Sequence, residues 1–142
     1  MSNQSVDVKY TAVATAENGR DGRVASDDGQ IDVVVNPPKE LGGSGQGTNP
    51  EQLFAAGYSA CFQSALGVVA RKEKADISGS TVTARVGIGP TPEGGFGLTV
   101  ALEAHIPNVD EATAKDLLEK AHQVCPYSNA TRGNIEVSIG VV

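Results

Sequence analysis

NPEQLFAAGYSACFQSALGVVAR, residues 49–71, is the stretch from which the fold is read. Asn49 can cap a helix, Pro50 suits the first helical position, and Gln52 stands three residues after Asn49 in a capping-box arrangement. Beyond them Leu53, Phe54, Ala55, Ala56, Tyr58, Ala60, Cys61, Phe62, Ala65, Leu66, Val68 and Val69 surround the helix instead of forming one stripe. Such a helix is buried on most sides. One sheet in a chain of 142 residues is hard pressed to cover it, so a second copy is expected to supply the missing cover, as an obligate homodimer.

Working outward, period-two alternation marks strands on both sides of this helix. Val6, Val8, Tyr10 and Ala12 alternate over residues 5–14, and Ile31, Val33 and Val35 repeat the pattern after the turn signal Asp27-Asp28-Gly29. Residues 36–49, with Pro37, Pro38 and four glycines, read as a loop. Two further strands are expected over 81–88 and 98–106, joined by a hairpin loop at 90–95. Asp110 then caps an amphipathic helix in which Ala114, Leu117, Leu118, Ala121 and Val124 keep three-and-four spacing until Pro126. Ile135, Val137, Ile139 and Val141 close the chain as a last strand. The expected class is α+β: mainly antiparallel strands around a buried central helix, plus a second amphipathic helix, in a single domain over 1–142.

Composition removes several classes of function. Eleven basic against 17 acidic residues give a net charge of −6, and the run Arg71-Lys72-Glu73-Lys74 is short and interrupted, so no nucleic-acid partner is expected. Residues 1–10 lack a basic start followed by an apolar stretch, and no run of about 18 apolar residues is read anywhere. The expectation is a soluble cytoplasmic protein with no membrane partner. In that reducing compartment a permanent disulfide is not expected, so Cys61 and Cys125, the only two cysteines, are either inert buried thiols or a transient redox couple.

For the couple to work, one thiol must be a good nucleophile and the other must reach it. Cys61 lies inside an apolar helix, where desolvation raises a thiol's pKa, so a cation is needed nearby. Arg20 is the candidate, because Gly19-Arg20-Asp21-Gly22 puts it in a glycine-flanked loop able to approach another element; a solvated turn arginine is the plainer reading. Glu51, at a helix start where the dipole favours negative charge, either stabilises that end or anchors an arginine. Ten residues of helix at about 1.5 Å each set Glu51 roughly 15 Å from Cys61 along the axis. A site using both therefore needs the Glu51 of a second copy.

Three other constellations carry less. Cys125-Pro126-Tyr127-Ser128 looks like a monothiol glutaredoxin tetrapeptide, but that motif belongs after a strand near a chain's start. His105, His122, Cys61 and Cys125 lack the closely spaced ligand pairs of a zinc site. GGSGQGT at 42–48 has the composition of a phosphate cradle without its Gly-Lys-Ser/Thr ending. No metal or cofactor is expected.

Four stretches together carry a family resemblance: GRDG at 19–22, ELGG at 40–43, NPEQLFAAGYSACF at 49–62 and CPYSNATRGN at 125–134. They resemble the organic hydroperoxide resistance branch of the osmotically inducible protein C (OsmC) superfamily, over nearly the whole chain. The resemblance implies a thiol-dependent peroxidase that reduces organic hydroperoxides, fatty-acid ones included, to alcohols. It implies that Cys61 is the peroxidatic cysteine and Cys125 the resolving one, that Arg20 holds the thiolate, and that Glu51 orients the arginine. It also implies an intertwined homodimer with two interfacial sites, and a disulfide re-reduced by lipoylated or other dithiol proteins. Leu53, Phe54, Phe62 and Phe96 are candidates to line an alkyl channel, each equally readable as core. Against the enzyme stand a non-enzymatic redox sensor using the same disulfide and a ligand-binding domain with inert cysteines.

Overall fold

The computed structural model describes residues 4–142, so Met1 to Asn3 of the segment read for a leader lie outside it. The chain divides into two compact units, residues 1–50 and 51–142.

The first unit is a three-stranded antiparallel sheet in the order β1-β2-β3, with β1 at Ala14–Glu17, β2 at Gly22–Ser26 and β3 at Asp32–Val35. The expected strand over 5–14 begins only at Ala14. Its alternation is present, but Val6, Val8 and Tyr10 are 69, 65 and 79% exposed, and without a neighbouring strand to complete its hydrogen bonds the segment forms no ladder. β2, not foreseen, has the turn Asn18–Asp21 before it. Gly19 adopts φ +55°, and a Cβ on Gly22 would stand 1.9 Å from the Glu17 carbonyl oxygen. The glycines of GRDG are thus required by the turn itself. Past β3, Val35 and Thr48 form a parallel bridge that closes the loop, which contains a 3-10 turn at Lys39–Leu41.

The second unit packs helices on one face of a sheet. α1 spans Pro50–Glu73 without interruption. β4 (Thr81–Pro90) and β5 (Phe96–His105) form a long antiparallel hairpin, and β6 (Val137–Val141) pairs parallel to β5, giving the order β4-β5-β6. That one parallel pair lies within the mainly antiparallel plan expected, and a parallel neighbour needs a crossover. Here the crossover is α2 (Glu111–Val124) followed by α3 (Pro126–Thr131). Asp110 caps α2 as expected, its carboxylate accepting from the Thr113 N–H at 2.7 Å.

The core joins Tyr58, Phe62, Ala65, Leu66 and Val69 of α1 to Val100, Leu102 and Ala104 of β5 and Ala114, Leu117, Leu118 and Ala121 of α2. In this chain α1 therefore buries one stripe at three-and-four spacing, not all sides. Ala56, Ala60 and Val68 remain exposed, because a single sheet covers a single face. By length and composition α1 would suffice to cross a bilayer; its buried stripe identifies it as the central helix of this unit.

Candidate active site

Cys61 is placed by α1, a half-buried position one residue before the fully buried Phe62. Cys125 is placed by a break. Pro126 cannot extend α2, and a residue before proline is driven out of helical backbone. Cys125 accordingly sits at φ −63°, ψ 122°, closing α2 and opening α3, with Pro126 in the first turn of the new helix. Two backbone hydrogen bonds hold the corner: the Cys125 N–H donates to Ala121 at 2.9 Å, and its carbonyl accepts from Asn129 at 2.9 Å. The side chain is completely buried.

These placements bring the two sulfurs to 3.6 Å, within reach of a hydrogen bond between the thiols. Both cysteines are free. A disulfide requires about 2.05 Å, so bond formation asks for a short approach and not a refolding. Burial is the main influence on Cys61 and pushes its thiol above the ordinary value of 9.0. The backbone N–H of Tyr127 works in the opposite direction by donating to the sulfur, while Cys125 adds to the upward shift. Burial therefore disfavours the Cys61 thiolate, and thiolate chemistry at neutral pH is helped by a nearby positive charge.

The immediate neighbours are aromatic and hydroxylic. Phe54, Tyr58 and Tyr127 form a triangle with ring centroids 5.9, 5.8 and 5.5 Å apart. Gly57 makes this possible, since a Cβ there would stand 2.7 Å from the Tyr127 hydroxyl. Beneath the triangle, Tyr58 Oη lies 2.9 Å from Ser128 Oγ and 3.0 Å from Thr131 Oγ1. Tyr58, Ser128 and Thr131 are all buried. The sequence reading missed these three and Tyr127. The available signal was the i, i+3 spacing of Ser128 and Thr131 after a helix-starting proline, which puts two hydroxyls on one face.

The other expected residues stand as follows. Arg20 is exposed in the turn between β1 and β2, where Asp21 donates its backbone N–H to Asn18 at 3.1 Å. Glu51 lies half-buried in the first turn of α1, on the same unbroken helix as Cys61 and ten residues from it. Among the channel candidates, Leu53 and Phe54 are half-buried, with Phe54 against Tyr58 and Tyr127. Phe62 is wholly inside the core, and Phe96 is 77% exposed where β5 begins. His105 Nδ1 is 3.0 Å from the Val142 carbonyl oxygen. No group of three or more His, Cys, Asp or Glu side chains that could hold a metal occurs among the described residues.

A model of the OsmC-like protein family matches residues 43–140. The organic hydroperoxide resistance protein of Xanthomonas axonopodis pv. citri is 54% identical over 134 residues, covering 93% of this chain and 94% of that protein. Organic hydroperoxide resistance protein OhrB of Bacillus subtilis is 42% identical over 92% of this chain and 96% of its own. Among solved structures, an organic hydroperoxide resistance protein from Elizabethkingia anophelis superposes with a TM-score of 0.91 at 57% identity, over 96% of this chain and 98% of that one.

Proposed function

The chain belongs to the OsmC-like protein family, and we propose that within it this protein is a thiol-dependent peroxidase reducing organic hydroperoxides, alkyl and fatty-acid ones among them, to alcohols. The observation that carries the reading is the 3.6 Å between the Cys61 and Cys125 sulfurs, in a chain whose relatives are named for organic hydroperoxide resistance. The Cys61 thiolate attacks one peroxide oxygen. The O–O bond breaks, the alkoxide takes a proton and leaves as alcohol, and Cys61 becomes a sulfenic acid. The Cys125 sulfur then attacks Cys61, the S–O bond breaks, and water departs with the thiol proton as the disulfide closes. A dithiol partner, lipoyl-bearing on the family resemblance, exchanges with the disulfide and restores both thiols.

Burial pushes the Cys61 pKa up, so the first step gains from an opposite charge. In this reading Arg20 supplies it, since a guanidinium stays charged and offers several donors to the peroxide oxygens. Glu51 orients that guanidinium. A chain's own Glu51 is too far along α1 to serve its own Cys61, so the reading includes a homodimer in which each copy completes the other's site. The exposed Val6, Val8 and Tyr10 and the uncovered side of α1 at Ala56, Ala60 and Val68 are apolar surfaces suited to that partner. Leu53 and Phe54 offer an apolar wall for the alkyl group, and the cytoplasm keeps the thiols reduced between turnovers.

Thiol titration before and after one equivalent of cumene hydroperoxide tests this directly. Loss of both free thiols, with mass spectrometry locating a Cys61–Cys125 crosslink, is the expected result. Two thiols left intact sink the reading. Continued peroxide consumption with excess dithiol separates an enzyme from a sensor, which reacts once and stops.

A further inference from the structure

α3 has six residues, too few for its own hydrogen bonds to hold it as a helix in water. Yet it carries the far side of the Cys125 corner. Besides its junction with α2, where Arg132 donates to the His122 carbonyl at 3.0 Å, and the packing of Tyr127 on Phe54 and Tyr58, a buried hydroxyl cluster ties it to α1. Tyr58 lies three residues before Cys61 and Ser128 three after Cys125, so the two sulfurs meet at one point and the hydroxyls meet one turn away. Tyr58 is itself completely buried, and so is Ser128. Thr131 Oγ1 donates to the Ser128 carbonyl at 3.3 Å, and with that proton committed the contacts of Tyr58 Oη to Thr131 Oγ1 and Ser128 Oγ are satisfied when Tyr58 donates to Thr131 and Ser128 to Tyr58. Each hydroxyl donates once, and none is left unpaired inside the core.

We propose that Tyr58, Ser128 and Thr131 are positioning residues for disulfide closure: by clamping α3 to α1 they hold Cys125 within reach of Cys61 and set how fast the sulfenic acid is resolved. The inference rests on the peroxidase reading above. In the step concerned the Cys61 S–O bond breaks, the S–S bond forms, and the Cys125 proton leaves with the hydroxyl as water. The competing step is attack of the same sulfenic acid on a second hydroperoxide, which releases another alcohol and leaves Cys61 as sulfinic acid. The ratio of sulfinic acid to disulfide at fixed hydroperoxide therefore reports the partition of the sulfenic acid between closure and overoxidation, whatever the speed of the first oxidation. Losing one buried hydrogen bond of the clamp should raise that ratio about tenfold at fixed hydroperoxide.

Shape and hydrogen bonding are separated at Thr131. Thr131→Val keeps the outline and removes the hydroxyl, whereas Thr131→Ser keeps the hydroxyl and removes a methyl. Reduced protein is treated with excess cumene hydroperoxide, and both products are quantified by mass spectrometry. The clamp predicts a raised ratio in Thr131→Val and a return to within about twofold of the native ratio in Thr131→Ser. Tyr58→Phe, which deletes the hydroxyl from the α1 side, should match Thr131→Val and stands in for it if that variant does not fold. A native-like ratio in both hydroxyl-deleted variants, or a raised ratio in Thr131→Ser alone, overturns the clamp and leaves the peroxidase intact. Absence of any Cys61–Cys125 disulfide in the native chain overturns the peroxidase reading and the clamp with it.

Discussion

Cys61 and Cys125 have unequal surroundings, and their substitutions should separate accordingly. Cys61→Ser removes the sulfur proposed to attack the peroxide and should abolish hydroperoxide consumption. Cys125→Ser should allow one oxidation and then accumulate overoxidised Cys61; mass spectrometry of the two variants after peroxide treatment distinguishes these fates. The pH dependence has a definite sign. Burial raises the Cys61 pKa, so its protonated form stabilises the reduced fold below the ordinary thiol value and that contribution is lost as pH rises through the raised one. An arginine held beside the sulfur acts in the opposite direction. Arg20→Ala should therefore move the midpoint of Cys61 alkylation upward, and an unchanged alkylation profile would remove Arg20 from the site. At this scale the sequence is legible where a residue type has one use: two cysteines, and a proline that forbids helix, mark the corner at 125–126. Tyr58, Ser128 and Thr131 were illegible because a hydroxyl in a helix acquires meaning only from the element it packs against.

Elements with strong local signals appear where the pattern puts them, and short ones do not. α1 carries a long apolar run, the β4–β5 hairpin two alternating stretches, and α2 an explicit Asp110 cap. β2 has five residues and α3 six, and both lean on neighbours: β2 on strands on either side, α3 on α2 and α1. The alternation over residues 5–14 was correctly periodic, yet periodicity states only which face a strand would bury and not whether a neighbour is present. The close contact of α1 with α3 gives a test. Gly57→Ala would drive a methyl to 2.7 Å from the Tyr127 hydroxyl, and overpacking of this kind costs about 1–3 kcal/mol. A fall in thermal midpoint should accompany it, measurable by circular dichroism. An unchanged midpoint would mean that Tyr127 swings away freely.

For the molecule as a whole, the apolar positions left open in one chain are informative. Val6, Val8 and Tyr10 in the first unit, and Ala56, Ala60 and Val68 in the second, are exposed, and the proposed homodimer would cover them. Sedimentation equilibrium should give twice the mass of one chain, 14.6 kDa, and a charge placed in α1 by Ala60→Asp should shift that mass toward the single chain. A native sample sedimenting as one chain would remove the second copy from the account. Finally, 64 residues separate the two sulfurs, and the segment between them contains β4, β5 and α2. Tying its ends together restricts the unfolded chain by roughly 4 kcal/mol. Catalysis would then alternate between a tethered and an untethered polymer, and calorimetry should find the oxidised form melting at the higher temperature. A cell starved of reductant would accumulate the sturdier of the two, a reservoir that outlasts the stress and resumes work once electrons return.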